Sequence, residues 1–191
     1  MAVSADSVLR ENYRGALPTL LVSGVGGLMA GSILGGMRTQ LAAVPGLLVM
    51  VPAFLAIRGS VYGSLGSRLS GGLHQGLIEP TFDPDRRLVS AAAAALLNGT
   101  VAGLAAAALT VGALRALGRT VAPLSRLAVI ALVGSLLAGL ALTVTIVTVV
   151  FVGYRRGLNP DDVVGPTVTT AGDVFGLAAL ALATELALAI A

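Results

Sequence analysis

The chain has 191 residues, of which 56% are apolar and 11% charged, with a formal net charge of +3 and no cysteine. So large an apolar share leaves too little polar surface to cover a water-soluble domain of this size, and its long uncharged runs identify an all-α integral membrane protein set in a lipid bilayer. The missing thiols exclude disulfides and thiolate metal sites, and so slight a charge excess on a membrane chain gives no reason to expect nucleic acid.

In chain order, residues 1–14 form a short polar tail with Asp6, Arg10, Glu11 and Arg14. Five spans are expected after it, since about 20 apolar residues cross a bilayer core. The first, Ala16 to Met37, is longer than the roughly 7–15 residues of a signal-peptide core and is expected to be retained. Gly27, Gly31 and Gly35 recur in it every four residues, a spacing that lets helix backbones approach. A dinucleotide reading of SGVGGLMAG fails, because the run lies inside an apolar span rather than after a strand.

The second span is the irregular one. Leu41 to Ile57 holds Pro45 and Pro52 and continues without a clear stop through RGSVYGSLGSRLSGGLHQG. Pro52 removes a backbone donor in mid-helix, and Arg58, Gly59 and Ser60 bring a charge and a flexible residue to membrane depth. Either the backbone breaks there and frees carbonyls for cations or their waters, or the helix merely kinks and Arg58 snorkels to the interface. In the following loop, His74 is the sole histidine and lacks partners for a metal site, while Asp83 and Asp85 adjoin Arg86 and Arg87 and read as surface pairing or as charges near a pore mouth.

Leu88 to Leu114, with Gly99 and Gly103, is the third span, and Leu127 to Tyr154 the fourth. Asn159, Pro160, Asp161 and Asp162 open the fifth, Val163 to Ile190. They suit a helix start and equally a cation-collecting ring at a pore mouth. Inside that span stands Asp173. A carboxylate at such depth costs roughly 3 kcal/mol on insertion scales unless something in the bundle compensates it, and a metal cation would. Pro166, Thr169, Thr170 and Asp173 share one helical face that carries oxygens only, flanked by Gly172 and Gly176. Glu185 lies about 18 Å further along the helix, near its outer end. Counting arginines on either side of five spans places the N-terminus in the cytoplasm and the C-terminus outside, with no C-terminal domain expected.

Three stretches carry a family likeness: PAFLAIRGSVYGSLGSRLS, then GLIEP, then GLNPDDVVGPTVTTAGDVFGLAAL. Together they resemble the membrane domain of the MgtE magnesium transporters and their eukaryotic solute-carrier relatives, and the likeness extends over residues 15–191. It implies that the second and fifth helices of two subunits line a central pore, so that one copy is half of it and a homodimer, or a pair with a similar half-size chain, is expected. It further implies that Asp173 anchors the ion together with the Thr169 main-chain carbonyl and nearby Thr170. Gly59, Ser60, Gly172 and Gly176 would then line the pore, with Asp161 and Asp162 at its mouth. The second-helix signature of the family, Gly-Asn, reads Gly59-Ser60 here, and the family's cytosolic sensor modules have no counterpart in this sequence. Mg2+ is the implied cargo and no cofactor is called for. A hydrated ion held by one or two carboxylates suits magnesium, and two-fold symmetry would double Asp173 into such a pair. A proton-coupled carrier of another solute and a non-transporting scaffold subunit are the other readings. No nucleophile–base pair, phosphate loop or metal-hydrolase spacing argues for an enzyme.

Overall fold

The computed structural model describes residues 5–83 and 85–190, with side chains at Leu17 and from Leu20 onward. Among these residues all regular structure is helical: α1 (Ala5–Gly36), α2 (Arg38–Ala43), α3 (Leu47–His74), α4 (Arg86–Ala116), α5 (Leu124–Arg155) and α6 (Pro160–Ala189). The helices α3, α4, α5 and α6 are each long and apolar enough to cross a membrane, and α1 contributes a shorter apolar stretch, Leu20–Gly36. The chain is thus a multi-pass membrane bundle. Residues 1–4 of the expected polar tail lie outside the described residues, and α1 begins within the rest of it.

The irregularity expected at Pro52 and Arg58–Gly59–Ser60 lies elsewhere. The helix α3 runs unbroken through both places. Pro52 removes a single helical bond near the start of α3, and buried Met50, Val51 and Phe54 hold that turn in the core. The break falls just before it. Pro45 lacks an N–H and disfavours the helical region for the residue preceding it, and Val44 accordingly sits at φ −122°, ψ 84°. Gly46 then adopts φ +96°, and a Cβ there would stand 2.9 Å from Val121 Cγ2 and 3.1 Å from Leu114 Cδ1. Both facts demand glycine. The Pro45 carbonyl accepts the Ala122 N–H at 2.8 Å, which ties this corner to the α4–α5 connection.

The helix α6 packs against α5, α1 and α3, while α3 also packs on α4 and α5. Two core clusters fill the bundle. One gathers Met37, Leu47, Phe54, Ile130 and Leu180; the other gathers Tyr62, Leu69, Leu142, Phe151 and Val164. Arg58 lies one helical turn from each. The glycine stripe of α1 does not serve the packing expected of it, since Gly27, Gly31 and Gly35 face open space. Gly26 does so instead: a Cβ there would run into the Thr170 side chain of α6. On α4 the expectation holds, with Gly99 and Gly103 buried against α3 and α5.

Candidate cation site

The start of α6 is built by local chemistry. Asn159 accepts the Asp161 N–H at 3.3 Å, Pro160 occupies the first turn, and Asp161 and Asp162 follow there, where carboxylates suit the positive helix end. Both aspartates are exposed. Further along, Pro166 withdraws one backbone donor, and Thr169 Oγ1 donates to the Gly165 carbonyl at 3.0 Å.

Asp173 is half-buried, and none of the described side chains hydrogen-bonds it. Its position follows from the flanks of α6. Thr170 points to α1, where it packs on Gly26 and its Oγ1 lies 3.4 Å from Ser23 Oγ. Gly172 and Gly176 point to α3: a Cβ at Gly172 would lie 3.8 Å from Arg58 Cβ, and one at Gly176 would lie 2.7 Å from Leu55 Cδ2. At about 100° per residue, Asp173 projects between these two flanks, on the side shared with exposed Thr169. The oxygen-bearing face therefore divides. Asp173 and Thr169 stay on the open side, while the Thr170 hydroxyl is engaged by α1. The two glycines are buried within the chain and give α3 and α6 their close approach.

On α3, Gly59 and Ser60 are both exposed. Gly59 adjoins the α6 flank and has nothing within 4 Å of where a side chain would stand. Ser60 lies a further 100° round and lines, with Ser64, Arg68 and Asn98, a cleft of about 220 Å³ between α3 and α4. The structure thus brings Gly59 to the side of Asp173 and Ser60 away from it. Other residues singled out in the sequence have local roles. Exposed Glu185 accepts from Gln40 Nε2 at 2.9 Å, strapping α2 to the end of α6. His74 packs edge-on to Tyr154 at 6.0 Å, with Ser70 Oγ 3.4 Å from its Nδ1. Asp83 and Asp85 are exposed beside Arg86 and Arg87, and Arg87 donates to the Leu77 carbonyl at 2.8 Å. No group of three or more His, Cys, Asp or Glu gathers among the described residues.

The residue that sequence reasoning misplaced is Arg58. It neither snorkels nor accompanies a broken backbone; it is wholly buried. Its Nη2 donates to Ser135 Oγ at 2.8 Å, and its Cζ lies 4.0 Å from the centre of the Phe54 ring. The Arg58–Tyr62 spacing of four was the one local signal that the two share a helix face.

The family model MgtE, described as a divalent cation transporter, matches residues 51–183, from the first turns of α3 to late in α6. The chain belongs to the MgtE family. This MgtE-family chain is 30% identical over 184 residues to solute carrier family 41 member 3 of Rattus norvegicus, covering 94% of the chain and 40% of that protein. It is 28% identical to the Mus musculus member 3, covering 93% of the chain and 37% of that protein. Against member 2 of Homo sapiens the identity is 29%, over 86% of the chain and 30% of that protein. It therefore spans less than half the length of these relatives. No solved structure matches it.

Proposed function

We propose that two copies of this MgtE-family chain form a pore for Mg2+ in the cell membrane, anchored on Asp173 from each copy. The observation that carries this reading is a half-buried carboxylate at membrane depth, without a hydrogen-bond donor among the described side chains, in a helix covered by a divalent-cation-transporter family match. Such a group is costly in lipid, and a hydrated divalent ion shared by two carboxylates relieves the cost while keeping the waters that magnesium gives up reluctantly.

The main-chain carbonyl of Thr169 supplies a further oxygen one turn before Asp173, and Gly59 of α3 borders the ion path. Thr170 serves the site indirectly by fixing α6 on α1. Asp161 and Asp162 gather cations at the mouth. A dimer is favoured because α3 exposes small residues, Ala56, Gly59 and Ser60 among them, against which a second copy can come close. In this reading α1 completes five spans, the N-terminus is cytoplasmic, and Ala189, at the end of α6, is outside.

Flux of Mg2+ into proteoliposomes of the purified chain tests the proposal. Asp173→Asn and Asp173→Ala are expected to fall to the background of empty vesicles while remaining folded. Parent-like binding and transport by Asp173→Ala would place the ion elsewhere. Uptake driven by a pH gradient without any magnesium dependence would instead identify a proton-coupled carrier.

A further inference from the structure

Arg58 is built into the bundle at a cost that packing alone does not explain. Its stem lies along α6, where Cβ atoms at Gly172 and Gly176 would come within 3.8 Å of Arg58 Cβ and 3.9 Å of Arg58 Cγ. The guanidinium then passes to α4 and α5. Gly99 and Gly103 make room for it, since Cβ atoms there would stand 3.3 Å from Nη1 and 3.4 Å from Nη2. Ser135 accepts a hydrogen bond from it, and Phe54 offers a ring face. Among the described residues Nε and Nη1 have no partner, nor does the adjacent Tyr62 hydroxyl. Among the described residues the groups against the guanidinium are thus serine, phenylalanine, tyrosine and glycine, without a carboxylate.

An arginine stays protonated even here, and an unpaired buried cation is expensive where an apolar side chain of similar volume would be neutral or stabilising. What the charge does supply is a field. At one helix spacing, on the order of 10 Å, from the Asp173 face of α6, a buried guanidinium acts on a cation more strongly than the same charge would through bulk water. A divalent ion feels that field twice over. A permeation site must also bind weakly enough to release its ion.

We infer that Arg58 is an affinity-setting residue: its fixed positive charge opposes that of a divalent cation at Asp173 and so keeps the ion's residence short. Resting on the reading of Asp173 as the ion's anchor, the inference gives the empty dimeric site two carboxylates balanced by two guanidiniums. Removal of Arg58 leaves a doubly negative site that holds Mg2+ too long.

Calorimetric Mg2+ binding to the purified chain, together with flux in proteoliposomes, tests this with Arg58→Gln, Arg58→Lys and Ser135→Asp. The last keeps the arginine and neutralises it through the 2.8 Å contact. Arg58→Gln and Ser135→Asp are expected to lower the half-saturating Mg2+ concentration about tenfold, or about 1.4 kcal/mol, and to reduce maximal flux, whereas Arg58→Lys stays near the parent. An unchanged or raised half-saturation in either folded neutral variant overturns the inference. So does failure of both to fold, because the charge would then serve the fold alone. The Asp173→Asn control separates the two ideas. If it still transports, the ion site itself is misplaced; if it is inert while Arg58→Gln binds like the parent, only the role of Arg58 fails.

Discussion

Gly139 shows how tightly single residues are fitted around the buried arginine. A Cβ there would run into the Tyr62 hydroxyl and lie 2.6 Å from Leu96 Cδ1. Overpacking of this kind costs about 1–3 kcal/mol, so Gly139→Ala is expected to lower the melting temperature of the detergent-solubilised chain. Gly31→Ala, which meets open space, is expected to leave it unchanged, and a reversed order would mean the packing around Tyr62 is wrong. At this scale the half-burial of Asp173 within α6 was legible in the sequence, because a charge inside an apolar run is a local signal. The setting of Arg58 was not. Its neighbours Gly99, Gly103 and Ser135 come from α4 and α5, and no pattern along α3 reports what two other helices will present.

Elements were easier to read than their interruptions. The apolar runs from Leu88, Leu127 and Val163 became α4, α5 and α6 with ends shifted by a turn or less, as hydropathy and helix-start chemistry dictate. Pro45 and Pro52, in contrast, look alike in sequence, yet only Pro45 ends a helix. The difference is tertiary, made by Leu114, Val121 and the Ala122 N–H closing on the Pro45–Gly46 corner. Gly46→Ala, which must enter that corner at an unfavourable φ, is therefore expected to destabilise by about 1–3 kcal/mol. Asn159→Ala removes the cap of α6 and is expected to cost about 1 kcal/mol. Chemical unfolding of the purified variants in mild detergent measures both, and a parent-like midpoint for either would show that its contact contributes nothing.

For the whole molecule, the absence of native cysteine gives the proposed dimer a clean test. A single cysteine at Gly59 or Thr169, both exposed, is expected to crosslink between copies in the membrane, while one at Gly176, buried against Leu55, is expected not to. The opposite pattern would mean that α6 faces its partner by another side. The central place of α6 has a consequence for biosynthesis. Chains emerge from the ribosome N-terminus first, so α1 is complete long before α6, the helix on which it packs, has been made. Thr170 cannot meet Gly26, nor Gly172 the stem of Arg58, until α6 is inserted. A nascent chain stalled at residue 159 would hold an unmatched α1 and an arginine missing one wall of its enclosure. Such a chain is expected to be cleared by membrane quality control, and co-expression of residues 160–191 as a separate segment is expected to rescue it.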